Sequence, residues 1–337
     1  MTGRERVLAM LDGAAVDRLP LMPITMMYAA DLAGVSYREY ASSAAALAEA
    51  QLKVSTKFEF DYVSVISDPA RETSDMGGKV VWFDDQPPAI VESEALLADK
   101  ATLASLKLPD LTATGRMRDR IQGVRLLRRA VGAGKIVEGW VEGPCALGAD
   151  LRGLNTLMLD FYDDPAFVEQ LFDFVVRMEI QFAWAQVEAG ADLIGVGDAA
   201  ASLIGPKFYQ RFVQPFEYVL IEAIHAMGAR VRLHICGNTR RILADMGLTG
   251  ADIIDLDFLA SLDEARIAMG PQQVLLGNLD PVRVLRDGTP ESVYAAIAEC
   301  HRAARGRYIV GAGCEIPRGT PEDNVLALTR YAQEHGA

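Results

Sequence analysis

Residues 190–198 read Gly190-Ala191-Asp192-Leu193-Ile194-Gly195-Val196-Gly197-Asp198, and the fold turns on how that stretch is taken. A glycine stops a helix, an apolar run follows without polar alternation, and an acid ends it. That is the pattern of a parallel strand covered on both faces. The end of the run, Gly195-x-Gly197-x-x-Ala200, also matches the glycine-rich dinucleotide fingerprint. Asp198 argues against that match, because its charge would lie inside the phosphate loop and oppose a pyrophosphate. The unit also lies late in the chain. A strand end carrying a polar acid suits an α/β barrel, whose chemistry gathers at the C-terminal ends of its strands.

The same beat runs outward in both directions. Apolar runs at residues 135–141, 229–236, 251–256, 273–277 and 308–313 alternate with amphipathic stretches. Asp164-Pro165, Thr289-Pro290-Glu291 and Thr320-Pro321-Glu322 each set a capping side chain before a proline suited to a first helical position. Gly190, Gly228, Gly250, Gly270 and Gly306 mark helix ends just before the next strand. Two further strands fit residues 19–25 and 62–67. Eight strands in this order predict an α/β chain folded as a single (β/α)8 TIM barrel, with one domain over residues 1–337. An open doubly wound sheet is the rival, and the lack of an obvious edge strand favours closure. Residues 77–92 break the beat and predict a small hairpin insertion, with residues 80–83 and 89–91 flanking Asp84-Asp85-Gln86-Pro87-Pro88.

Composition narrows the function classes. Of 337 residues, 50% are hydrophobic and 23% charged, so disorder is excluded as the main reading. With 33 basic and 46 acidic residues the net charge is −13, which repels nucleic acid and anionic membranes. Four cysteines are too few for a disulfide scaffold. The start Met1-Thr2-Gly3-Arg4-Glu5-Arg6 lacks a signal-peptide pattern, and no uncharged apolar run reaches membrane-spanning length. These features lead to the expectation of a cytoplasmic protein.

Chemistry-bearing residues collect at the predicted strand ends. In Leu233-His234-Ile235-Cys236-Gly237-Asn238, His234 and Cys236 lie two apart and share a strand face. Cys314 closes the last strand, in Gly311-Ala312-Gly313-Cys314-Glu315. One imidazole and two thiolates suit Zn²⁺, and three protein ligands leave a fourth position open. The pattern alone equally fits a core histidine and two buried small hydrophobes. Glu142 or Glu72 is a candidate for the fourth position in the absence of substrate. Asp198 and Asp68 are strand-end acids, Asp68 standing before Pro69 where a turn or cap role is equally open. Cys145 and Cys300 are read as packing, and Arg125, Arg128 and Arg129 as a solvated helix face.

At these strand ends the sequence resembles the uroporphyrinogen decarboxylase superfamily, and most of all its methylcobamide:coenzyme M methyltransferase branch. The resemblance begins at Arg4-Glu5-Arg6-Val7-Leu8 and reaches the last helix. It is carried by His234-Ile235-Cys236-Gly237-Asn238-Thr239, Gly277-Asn278-Leu279-Asp280-Pro281, and Gly313-Cys314-Glu315-Ile316-Pro317 with Gly319-Thr320-Pro321. It implies a zinc site at His234, Cys236 and Cys314. It further implies methyl transfer between a corrinoid (methylcobalamin), carried on a separate small corrinoid-binding protein, and a small-molecule thiol or folate acceptor. Asp198 and Asn278 are candidates for orienting substrate or a ligand. Uroporphyrinogen decarboxylation is the alternative, with Asp68 resembling that branch's strand-end aspartate. Against it, the decarboxylases' Arg-Gln-Ala-Gly-Arg segment is replaced here by Ile24-Thr25-Met26-Met27-Tyr28-Ala29-Ala30, and their Gly-His motif by Gly313-Cys314.

Overall fold

A computed structural model describes residues 1–336. The first sheet strand is β1 (Tyr62–Ser64), followed by an antiparallel ribbon of β2 (Val80–Val81) and β3 (Ala89–Ile90). This ribbon is the hairpin expected within residues 77–92. The remaining strands are β4 (Ile136–Glu142), β5 (Leu193–Gly197), β6 (Arg230–Ile235), β7 (Ile253–Leu256), β8 (Val274–Leu276) and β9 (Tyr308–Ile309). With β1 they form one curled parallel sheet in the order β1-β4-β5-β6-β7-β8-β9.

The expected strand at residues 19–25 shrinks to a single parallel bridge between Leu21 and Val310. The cause is local: Pro20 and Pro23 have no N–H to donate to a ladder. Backbone bonds still tie the segment to both ends of the sheet. Met22 N–H donates to Val310 O (3.0 Å), Val310 N–H to Pro20 O (2.8 Å), and Asp61 N–H, just before β1, to Leu21 O (3.0 Å). Residues 62–67 likewise form only the three-residue β1.

Helices cover the outer face of the sheet. The helix Pro165–Glu188 starts at Asp164, whose side chain accepts from Phe167 N–H, and the helix Pro290–Ala304 starts at a Thr289 capping box. Thr320 does not cap its helix as expected. Its hydroxyl donates to Pro317 O (2.7 Å), and the helix Glu322–Glu334 begins after Pro321. Gly190 turns the chain into β5 at φ +112°, where a side chain would also strike Arg128. Among the described residues no helix is long and apolar enough to cross a membrane.

Within the curl, side chains follow the two-residue strand period. Leu233 and Ile235 are fully buried in the apolar core. Their neighbours Arg232 and His234 point to the other face, toward charged residues of adjacent strands. On β5 the small residues make room. A Cβ on Gly195 would lie 2.1 Å from Cε3 of Trp140, so the Gly195-x-Gly197 pair accommodates an indole and not a phosphate.

Candidate metal centre

Register sets the site. Glu142, Gly197, His234 and Asp255 align across four adjacent strands. Gly197 leaves a gap in that row between Glu142 and His234. Cys236 follows just past β6, where Gly237 turns the chain at φ +93° and donates its N–H to Asp257 Oδ2 (2.8 Å). Cys314 arrives beyond β9 on a loop pressed against the one that follows β7, since a Cβ on Gly313 would lie 2.4 Å from Phe258 N. The ligand atoms of His234, Cys236 and Cys314 thus lie within 4.8 Å of one another. His234 Nε2 is 2.9 Å from Cys236 Sγ, and the two sulfurs are 3.7 Å apart.

The imidazole is oriented from behind. His234 Nδ1 lies 3.3 Å from the carbonyl oxygen of Asp255, its hydrogen-bond partner, with Asp255 Oδ2 3.1 Å away, so Nε2 is left for the sulfurs. Arg232 donates to the same Asp255 oxygen (Nε 3.0 Å, Nη2 2.6 Å) and lies 3.3 Å from Glu138 Oε1. All four side chains of this row are buried. Burial opposes a charge on His234, but Cys236 and Asp255 outweigh it and raise its pKa well above the ordinary value. The hydrogen bond from Cys236 draws the Cys314 thiol down to about 4, and the same bond raises Cys236. The site therefore stabilises a thiolate before any metal arrives, which is what a soft cation requires. An imidazole nitrogen and two sulfurs in reach of one point fit zinc.

The three donors open on a cavity of about 220 Å³, walled by Ile24, Met26, Ile66, Pro69 and Trp140. Asp68 and Glu142 also line it. Asp68 pairs through both oxygens with the guanidinium of Arg116. Glu142 accepts from Trp140 Nε1 (3.2 Å), and burial followed by the nearby Glu72 pushes its pKa well up. Glu72, the other carboxylate considered for the fourth position, is fully buried against Arg71 at 2.5 Å and does not line the cavity.

Two expected site residues sit elsewhere. The Asp198 carboxylate is turned from the cavity and accepts from Ala146 N–H (2.6 Å) and Cys145 N–H (3.3 Å), at the start of the helix Pro144–Arg152. Asn278 donates to Asp257 O (3.0 Å) and Ala260 O (2.5 Å), so it braces the loop beside Cys236. Sequence reasoning missed Glu138, Arg232, Asp255, Asp257, Trp140 and Arg116. A charge inside an apolar strand was the available signal for the first three.

Burial raises Asp198 to about 7, next to Glu217, itself buried and hydrogen-bonded by Tyr209. The folded chain then keeps a proton that the unfolded chain has released, so stability falls as pH rises from about 4 to about 7. We expect the wild type to lose on the order of 2 kcal/mol between pH 5 and 8 from this group, and Asp198→Asn to lose clearly less. Urea midpoints at the two pH values measure it, and equal slopes for both proteins would rule it out.

Comparison with known proteins now bears on the site. A family model described as uroporphyrinogen decarboxylase (URO-D) matches residues 2–335. The chain belongs to the uroporphyrinogen decarboxylase family. Within this family it is 30% identical to a methylcobamide:CoM methyltransferase, MtbA, of Methanosarcina mazei, over 99% of this chain and 98% of that protein. A uroporphyrinogen decarboxylase of Parasynechococcus marenigrum is 29% identical, but only over 60% of each chain. A solved structure of a methyltransferase from Methanosarcina mazei superposes with a TM-score of 0.90 over 99% of both chains, at 24% identity, which shows a shared fold. Similarity over the full length thus falls on the methyltransferase side of the URO-D family.

Proposed function

We propose that this protein is a zinc-dependent methyltransferase that moves a methyl group between a corrinoid carried on a small partner protein and a small thiol. The carrying observation is the convergence of His234 Nε2, Cys236 Sγ and Cys314 Sγ within 4.8 Å at the wall of an apolar cavity. We further infer a single domain over residues 1–337, a (β/α)8 barrel closed through residues 19–25, and action in the cytoplasm. The backbone bonds from Pro20, Leu21 and Met22 to both sheet ends support closure.

Zinc held by His234, Cys236 and Cys314 would supply Lewis acidity that favours the thiolate form of the acceptor. The chain's own residues do the rest. Asp255 fixes the His234 ring, Arg232 holds Asp255, and Asn278 with Asp257 fixes the Cys236 turn. Trp140, Ile24 and Ile66 exclude water around the reacting sulfur. The carbon–sulfur bond forms as the methyl leaves its carrier, and the thiol proton is released.

Asp68 at the cavity wall is the observation that favours decarboxylation. Two others oppose it. A cavity of about 220 Å³ lies below the usual range for even drug-sized ligands, about 300–1,000 Å³, and a tetrapyrrole with eight carboxylates is larger. Its carboxylates would also meet Asp68 in a lining that holds no lysine or arginine. Anaerobic incubation of the zinc-loaded protein with methylcobalamin and a small thiol is expected to yield the S-methyl product, with no useful turnover of uroporphyrinogen. Robust coproporphyrinogen formation without methyl transfer would replace this reading and make Asp68 the central residue.

A further inference from the structure

We propose that Arg283 selects the acceptor thiol, by holding an anionic group carried at the end of that thiol away from its sulfur. The proposal rests on the thiol chemistry of the metal centre and adds the residue that reads the substrate. Its ground is a second recess beside the first. Cys314 lines both the small cavity of the metal donors and a larger depression of about 610 Å³. That volume lies within the usual range for small-ligand pockets, about 300–1,000 Å³. Met27, Phe258, Leu259, Pro281, Val282 and Pro317 give the larger recess apolar walls. A thiol with its sulfur at the metal donors and its tail in this recess meets one cation there, Arg283, whereas the small cavity offers none.

Among the described residues, the Arg283 guanidinium makes no hydrogen bond and no ion pair, although its backbone N–H is fixed by Asp280 Oδ1 (2.9 Å). Nearby guanidiniums are committed. Arg116 is held by both oxygens of Asp68, Arg318 by Asp31 and by Asp85 O (2.5 Å), and Arg286 by Asp287 (2.8 Å). Two acids also line the recess, and backbone donors hold each of them. Asp280 Oδ1 accepts from Val282 N–H (2.9 Å) as well as from Arg283 N–H, and Glu315 Oε1 accepts from Met26 N–H (3.2 Å) and Met27 N–H (2.5 Å). Arg283 is thus the ionic group of this lining left open to an incoming tail. A sulfonate or carboxylate presents two oxygens to the guanidinium fork in charge-assisted bonds, whereas a hydroxyl tail offers a single neutral acceptor. The apolar walls screen that pair less than bulk water would. The chain's net charge of −13 gives an anion no general attraction, so the preference is local to Arg283.

Calorimetric titration of the zinc-loaded protein reads this without relying on turnover, with 2-mercaptoethanesulfonate and 3-mercaptopropionate as anionic thiols and 2-mercaptoethanol as the uncharged reference. At low salt the wild type is expected to bind each anionic thiol about tenfold more tightly than the reference. Arg283→Ala is expected to bring that ratio to about one, and Arg283→Lys, which keeps the charge without the fork, to leave it in between. Arg283 is exposed, so neither variant threatens the core. In turnover with methylcobalamin, the loss in Arg283→Ala should fall on KM for the anionic thiols and not on kcat. A wild type without preference for anionic thiols would overturn the proposal, as would a preference that survives Arg283→Ala. So would an equal loss for all the thiols, or a raised KM for methylcobalamin alone, since the recess would then serve the methyl donor. An Arg283-dependent preference without methylation of any thiol would defeat the proposed reaction and leave this assignment standing. Methylation with no dependence on Arg283 would do the opposite.

Discussion

Cys314→Ala is expected to abolish methyl transfer from methylcobalamin while the chain stays folded. The sulfur of Cys314 completes the only cluster of three metal-type donors among the described residues. Loss of residues that merely orient a metal ligand costs about 10- to 100-fold in affinity or activity, so loss of a ligand itself should cost at least about 100-fold in zinc affinity. Cys236→Ala should behave alike, because its sulfur also holds the neighbouring thiolate through their hydrogen bond. Stability should change little. A chain of this size buries about 75% of its extended-state surface and has no need of a metal to complete its core. Metal content, methylcobalamin consumption and circular dichroism together test this. A variant that unfolds on losing metal would make the centre structural, and a variant that keeps full activity would remove it from the chemistry.

Arg232→Ala is expected to have the largest effect on stability. Arg232, Glu138 and Asp255 are all buried, and the guanidinium touches both carboxylates. Removing it strands two acids in the sheet interior, and breaking a buried pair costs about 3–5 kcal/mol. Arg232→Met keeps the volume but not the charge, so it should also destabilise, with loss of zinc as a second readout because Asp255 no longer holds His234 in place. Urea denaturation and metal analysis measure the two effects. A loss below about 1 kcal/mol in both variants would show that the interior acids are neutralised without Arg232.

The part of this arrangement legible in the sequence was the part set by local rules. Unbroken apolar runs, helix caps at Asp164 and Thr289, and glycines at strand entries gave the β/α order, and the His234-x-Cys236 spacing put two donors on one face. The segment 19–25 was overread because apolar composition outweighed the missing donors of Pro20 and Pro23. Asp198 was placed correctly at a strand end, yet the strand period turns its carboxylate to the helix Pro144–Arg152. Asp255 stands out as a charge inside an apolar strand, but its partnership with His234 was not legible because it depends on the β6–β7 register, a relation between strands about 20 residues apart. Arg232 was nearer to hand: it stands two residues before His234 and so shares its face.

Zinc-edge absorption spectroscopy of the wild type tests the central claim most directly. The account predicts about one zinc per chain with two sulfur contacts near about 2.3 Å and one imidazole nitrogen, and a third sulfur on addition of ethanethiol. A protein that takes up no zinc when it is offered, or a zinc shell that every thiol leaves unchanged, would contradict it.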